Sequence, residues 1–226
     1  MPQLKQDIKW FKDQFKTKIQ AGVENTPFNV DMVTAIATQE TRYIWGRLYT
    51  TLSLAEVLKL CASDIIDSPS RDEFPKNKAE LLTAPKGAEM FTIGREALKD
   101  LAVYLPEFRK YATDAFPNKF CRGYGIFQYD LQFYKSNPDF FLEKRWYDFD
   151  ECLRLFVQEL KDALNRAYGS GKTTLTDEEM VYVAIAYNRG SVNFSRKFKQ
   201  GYKDEETGKY YGEYIWEYLQ LSKTIT

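Results

Sequence analysis

Apolar residues recur at helical spacing along most of this chain, and the pattern predicts a mainly α protein. The opening helix carries one apolar stripe and ends near Gly22. That stripe consists of Leu4, Ile8, Phe11, Phe15 and Ile19. A second helix starts at Asn29 or Asp31, both of which are good N-terminal caps. Its apolar positions are Val33, Ile36, Ala37 and Ile44.

Two capping boxes mark further helix starts. Ser53 with Glu56 opens a helix predicted to extend through Cys61 and Ile65. Thr176 with Glu179 opens a later one. Apolar spacing also predicts helices over 91–105, 108–112, 153–167 and 214–219, whereas residues 67–87, rich in Pro and charged residues, predict a surface loop.

Helical periodicity breaks at residues 123–134, where glycine and aromatic residues predict a small β-hairpin or ordered loop. No internal repeat is visible, and 226 residues fit a single domain over 1–226.

The composition of the chain excludes several classes of function. Lys+Arg 32 against Asp+Glu 32 leaves no net charge, which argues against general nucleic-acid binding. The absence of histidine removes Ser-His and Cys-His catalysis and His-ligated metals. The three cysteines are odd in number and widely spaced, so we expect free structural thiols, with no metal and no cofactor.

Glu40 is the one carboxylate on the apolar stripe of the second helix, because it lies one turn beyond Ile36. One interpretation is a structural ion pair with a lysine or arginine. The other is a carboxyl at the floor of a cleft, where partial desolvation raises its pKa so that it donates a proton near neutral pH.

Two further segments carry polar groups in special settings. In Gly123-Tyr-Gly-Ile-Phe-Gln128-Tyr-Asp130, the glycines let a ligand approach the backbone closely, and Gln128 presents an amide; a plain turn is the alternative. In Ala186-Tyr187-Asn188-Arg-Gly190, a Tyr-Asn pair stands at a helix end that Gly190 terminates.

In this order, the segments around Glu40, Gln128 and Tyr187 resemble the catalytic core of soluble lytic transglycosylases and goose-type lysozymes. Thr41 stands where these families usually have serine, and Ile-Phe replaces Leu-Met in their Gly-Leu-Met-Gln loop. The resemblance covers about residues 29–46 and 120–220. It implies a lysozyme-like fold with a small β-hairpin, in which 47–119 form a mostly helical insertion.

The resemblance implies cleavage of the β-1,4 bond of peptidoglycan glycan strands, with Glu40 as general acid. An inverting hydrolase needs a second carboxylate to activate water, and Asp130, two residues after Gln128 as in the goose-type pattern, is the first candidate, with Asp114 the second. The goose-type pattern has another aspartate about eleven residues earlier, where this chain departs from it with Lys119. The candidate substrate-binding residues are Thr41, Tyr43, Tyr124, Gln128, Tyr129, Tyr187 and Asn188.

Two alternatives stay open. The substrate could be chitin or a chito-oligosaccharide, since the sugar backbone is shared, or the chain could be a non-catalytic module that binds glycan or protein. The first residues lack the apolar segment of a signal peptide, and no later run could span a membrane. Because the resemblance implies a cell-wall substrate, we expect the chain to act at the bacterial cell wall or periplasm, or as a delivered or secreted enzyme.

Overall fold

The computed structural model describes residues 2–66 and 71–226, which are mainly helical with one small sheet. The chain forms two compact units: unit 1 comprises Met1–Arg42 and Leu153–Thr226, and unit 2 comprises Tyr43–Cys152. The sequence predicted one domain with an insertion at 47–119. The structure places residues 47–119 and the glycine loop together in unit 2.

The helices of unit 1 begin and end close to the predicted positions. They are α1 (Pro2–Gly22), the first part of α2 (Val30–Leu48), most of α7 (Phe149–Tyr168), α8 (Asp177–Arg189) and α9 (Tyr211–Lys223). Asn29 caps α2 by accepting the backbone N–H of Met32 at 2.9 Å, and the capping box of Thr176 and Glu179 opens α8. The predicted start and capping signals are therefore confirmed.

Buried charges as well as apolar stripes hold unit 1 together. Lys12 of α1, only 6% exposed, donates to the Asp31 carboxylate and to the carbonyl oxygen of Ser222, both at 3.0 Å. The fully buried Asp7 pairs with Arg42 at 2.7 Å. These contacts join α1 to α2 and to the end of α9, because a buried charge needs a partner.

Unit 2 contains the remaining elements. They are the end of α2, α3 (Leu54–Leu60), β1 (Ala62–Ile66), α4 (Lys78–Leu81), α5 (Gly87–Tyr104), β2 (Phe120–Tyr124), β3 (Tyr129–Asp130), α6 (Pro138–Leu142) and the start of α7. The strands form an antiparallel sheet in the order β1-β2-β3, against which α5 packs. The segment 108–112, predicted as a short helix, is part of the 3₁₀ helix Pro106–Ala112.

The prediction that α3 extends through Cys61 and Ile65 was wrong. The helix ends at Leu60, and Ala62–Ile66 form β1, which pairs with β2 through Ala62 opposite Tyr124 and Ile66 opposite Phe120. The cross-strand pairing overrides a local pattern that suits a helix equally well. The hairpin predicted at 123–134 is present, and β1 adds a third strand to it.

The predicted surface loop over 67–87 is described only in part. Residues 67–70 lie outside the described residues, and the rest contains the short helix α4. Among the described helices, none combines the length and apolar character needed to cross a membrane.

All three cysteines are free and buried, as the sequence predicted. Their thiols donate to backbone carbonyls of Val57, Ala62 and Trp146 at 3.3–3.4 Å. Burial raises all three thiol pKa values, that of Cys152 to about 12.

We expect the folded protein to be inert to a thiol reagent at about pH 8, because its thiols are buried and protonated. All three thiols should react once urea unfolds the chain. The pKa of each thiol is higher in the folded than in the unfolded state. The contribution of the thiols to the free energy of unfolding is therefore complete below about pH 8.5, and it is lost as the pH rises through their folded-state pKa values. Rapid labelling of the native protein would contradict this assignment.

Candidate active site

The middle of α2 is buried on every side. All residues from Met32 to Thr38 are buried, and the exposure of the helix begins with Gln39 and Glu40, which are half-buried. The side chains of this segment are mostly apolar, and Thr34 and Thr38 are the two buried polar ones. Glu40 is therefore a carboxylate at the end of a core segment, where a polar partner is needed to offset its desolvation.

Tyr211 provides a partner. Its hydroxyl donates to Oε1 of Glu40 at 2.8 Å, while the side chain itself is only 3% exposed. Burial raises the pKa of Tyr211 well above its ordinary value, and the negative charge of Glu40 and the proximity of Tyr187 raise it further. The Tyr211 hydroxyl consequently stays protonated and acts as a fixed donor to the carboxylate.

Two glycines place Tyr211 at the start of α9. A Cβ on Gly201 would lie 2.4 Å from the Cβ of Tyr211, and one on Gly212 would lie 2.6 Å from the carbonyl oxygen of Phe198. The N–H of Tyr211 also donates to the carbonyl of Tyr202 at 2.9 Å. Only glycine permits these approaches, so the loop before α9 fixes the tyrosine beside Glu40.

The predicted Tyr-Asn helix end belongs to the same surroundings. Gly190 ends α8 with φ 76°, as expected for a C-terminal glycine. Tyr187 is half-buried and packs edge-on against Phe156, with ring centroids 5.3 Å apart. Asn188 is exposed, and its Oδ1 lies 3.2 Å from the position of a Cβ on Gly201.

Thr41 does not face solvent as a substrate-binding residue would. It is fully buried, and its hydroxyl donates back to the carbonyl oxygen of Ala37 at 3.4 Å. Such bonds to the preceding turn are common for threonine in helices. The structure therefore assigns the Thr41 hydroxyl a contact within α2.

The other predicted site residues lie in unit 2, where Gln128 is the centre of a hydrogen-bond network. Its Oε1 accepts from the Ser63 hydroxyl at 2.6 Å, and its Nε2 donates to the carbonyl oxygens of Gly125 at 2.8 Å and Cys61 at 3.4 Å. Tyr43 donates to Ser63 in turn. The amide thus ties β1 to the glycine loop, so its observed contacts are structural.

Asp130 is held by two arginines. One carboxylate oxygen accepts from Arg71 at 2.8 Å, and the other accepts from Arg122. The first oxygen also accepts the backbone N–H of Gln132 at 2.7 Å and caps the following 3₁₀ helix. These contacts engage both carboxylate oxygens, which does not favour a freely accessible base.

Three predicted tyrosines of unit 2 pack against other aromatic rings. Tyr124 is fully buried, donates to the Cys121 carbonyl at 2.7 Å, and lies 4.8 Å from the ring of Trp146. Its side chain is therefore part of the core and does not reach solvent as a substrate-binding residue must. Tyr129 stacks on Phe133, with ring centroids 4.7 Å apart. Tyr43, which is 38% exposed, stacks on Phe108, with ring centroids 6.4 Å apart.

Tyr211 is the residue that the sequence reasoning missed. The final helix was predicted from Tyr214 and Ile215, but the buried positions of α9 begin earlier and are Tyr211, Gly212, Ile215, Leu219 and Ser222. Tyr211 lies one turn before Ile215 on this stripe, so extending the stripe by one turn would have found it.

Among the described residues, no group of three or more carboxylates and thiols is placed to hold a metal ion. Comparison with protein-family models, curated proteins and solved structures found no match.

We expect Gly201→Ala to lower the free energy of unfolding by about 3 kcal/mol, because it combines a positive φ of 85° with a clash against Tyr211. Gly208→Ala is the matched control. Its φ of 74° is similar, but nothing lies within 4 Å of the new Cβ, so we expect about 1 kcal/mol. Equal losses in urea unfolding would show that the close approach to Tyr211 does not matter.

Proposed function

We propose that this chain is a lysozyme-like glycosidase that cleaves the β-1,4 bond of peptidoglycan glycan strands, with Glu40 as general acid. The observation that supports this most strongly is the hydrogen bond from Tyr211 to Glu40 at 2.8 Å, at the end of a buried helix segment. The resemblance of the segments around Glu40, Gln128 and Tyr187 to lytic transglycosylases and goose-type lysozymes supplies the reaction class.

The hydrogen-bonded pair of Glu40 and Tyr211 suits a mechanism in which Glu40 first donates a proton and later accepts one. A protonated Glu40 donates to the glycosidic oxygen as positive charge develops at the anomeric carbon. The Tyr211 hydroxyl then donates to the resulting carboxylate without moving, so stabilisation of that charge needs no reorganisation. Because Tyr211 stays protonated, it orients the carboxyl throughout and does not compete as an acid.

The contacts of Asp130 favour the transglycosylase branch. An inverting hydrolase needs a second carboxylate to activate water, and Asp130 is bound by Arg71, Arg122 and a backbone N–H. In the transglycosylase branch, the muramoyl 6-hydroxyl attacks the anomeric carbon, gives its proton to Glu40 and closes a 1,6-anhydro ring. One carboxyl group then serves as acid and afterwards as base.

A non-catalytic lysozyme-like module that binds a protein partner is the second candidate. The observation in its favour is that Gln128 and Tyr124, which the resemblance assigns to substrate, make hydrogen bonds to the protein's own groups. Such a module has no need for a proton donor at Glu40.

We expect the protein to release 1,6-anhydro-muropeptides from purified peptidoglycan, as detected by mass spectrometry. Glu40→Gln should lower the rate by about 10²- to 10⁴-fold, the usual contribution of a general acid. Tyr211→Phe should lower it by about tenfold, because it removes a hydrogen bond to a charged group.

Tyr214→Phe is the matched control on the same helix, since the Tyr214 hydroxyl bonds to Asp204 and Thr207. It should leave the rate unchanged. Products with a reducing end would move the assignment to the hydrolase branch and restore Asp130 as the base. Release of products that is independent of Glu40, or no release from any wall preparation, would overturn the proposal.

A further inference from the structure

An open cavity of about 510 Å³ lies in unit 1 between the segment before α9 and one side of that helix. Its volume is in the range of small-ligand sites. It is lined by two kinds of side chain that matter for recognition, cationic and aromatic: Arg196, Lys197, Lys199, Phe198 and Trp216. Trp216 follows Tyr211 by five residues on α9, which corresponds to roughly 7.5 Å along the helix axis.

The cavity lining has more positive than negative side chains, namely three cations and two glutamates. Arg196, Lys197 and Lys199 form no ion pair within residues 2–66 and 71–226. The two glutamates of the lining have other partners: Glu217 pairs with Lys209 at 2.5 Å, and Glu213 accepts the backbone N–H of Tyr210 at 2.9 Å. The three cations are therefore available to an anionic group of a ligand.

An aromatic surface stands beside these cations. Phe198 packs on Trp216 with ring centroids 5.3 Å apart, and Tyr182 continues the row from Phe198 to Phe194, which is 46% exposed. The indole N–H of Trp216 has no acceptor among the described residues, so it can donate to a ligand. Aromatic faces with a polar edge suit a sugar ring, which has apolar faces and hydroxyls at its rim.

We infer that this cavity binds a carboxylate-bearing saccharide, namely a muramoyl sugar with its peptide, through its cations and the Phe198–Trp216 surface. The inference rests on the proposed function and deepens it, because it favours peptidoglycan over neutral chitin as the substrate. In this assignment Arg196 and Lys199 bind the lactyl or peptide carboxylates, while Trp216 contacts the sugar.

A polyanion such as nucleic acid or a wall phosphate polymer fits the chain less well. The protein has equal numbers of basic and acidic residues, whereas binding a polyanion draws on a basic surplus. One or two carboxylates on a sugar match three cations better.

The test measures binding by calorimetry in the Glu40→Gln background, so that turnover does not consume the ligand. The probes are a disaccharide-pentapeptide muropeptide, chitotetraose and a glycerol-phosphate polymer. We expect the muropeptide to bind more tightly than chitotetraose. Arg196→Gln with Lys199→Gln should weaken muropeptide binding about tenfold, and added salt should weaken it in the parent protein. Trp216→Leu should weaken the binding of both saccharides.

Lys5→Gln with Lys16→Gln is the matched control, because it removes the same charge from two exposed positions of α1. This control should leave binding unchanged. Equal effects of the two double variants, or tighter and cation-dependent binding of the phosphate polymer, would overturn the assignment. If the cavity variants bind normally while Glu40-dependent products form, the cavity assignment fails alone. If the muropeptide binds through the cavity without Glu40-dependent turnover, the proposed function fails alone.

Discussion

The arrangement of unit 1 depends on one constraint, which is that a carboxylate at the end of a buried helix segment must be given hydrogen bonds. From Met32 to Thr38 the helix α2 is enclosed by protein, and Glu40 follows directly. Tyr211 meets this requirement with a donor that burial keeps protonated. The positive φ of Gly201 and the close packing at Gly212 bring α9 near enough for that bond. The backbone conformation of the loop before α9 thus positions the Tyr211 side chain beside Glu40.

Unit 2 uses similar residues for a different purpose. Its glycine loop, amide and tyrosines are the parts that a sugar-binding loop would contain, yet their contacts are directed inward. Gln128 connects the loop to Ser63 and Cys61 of the neighbouring segment, and Asp130 joins two arginines and caps a 3₁₀ helix. The proposed chemistry therefore depends on Glu40 and Tyr211. The contacts of Gln128 and Asp130 connect the segments around the sheet of unit 2.

The sequence predicted elements whose signals are local. The stripe of α1, the capping boxes of α3 and α8, and the glycine that ends α8 each depend on residues within a few turns, and all are present. It did not predict β1, because a strand is defined by its partner, and Tyr124, which lies opposite Ala62, is 62 residues further along the chain. It placed Glu40 on the apolar face but not Tyr211 beside it, since 171 residues separate the two in sequence. The inward contacts of Gln128 and Tyr124 were not predicted either, because a motif specifies residue types and not the direction in which their side chains face.

The central claim is that Glu40 is present for proton transfer and not to stabilise the fold. The most direct measurement is the free energy of unfolding of the Glu40→Gln variant in urea at neutral pH, relative to the unchanged protein. Glutamine keeps an oxygen that accepts the Tyr211 hydroxyl, and functional polar groups seldom add stability. We therefore expect a change within about 0.5 kcal/mol, or a gain in stability. A loss of about 3 kcal/mol or more, as expected when a buried ion pair is broken, would identify Glu40 as a structural residue and contradict the account.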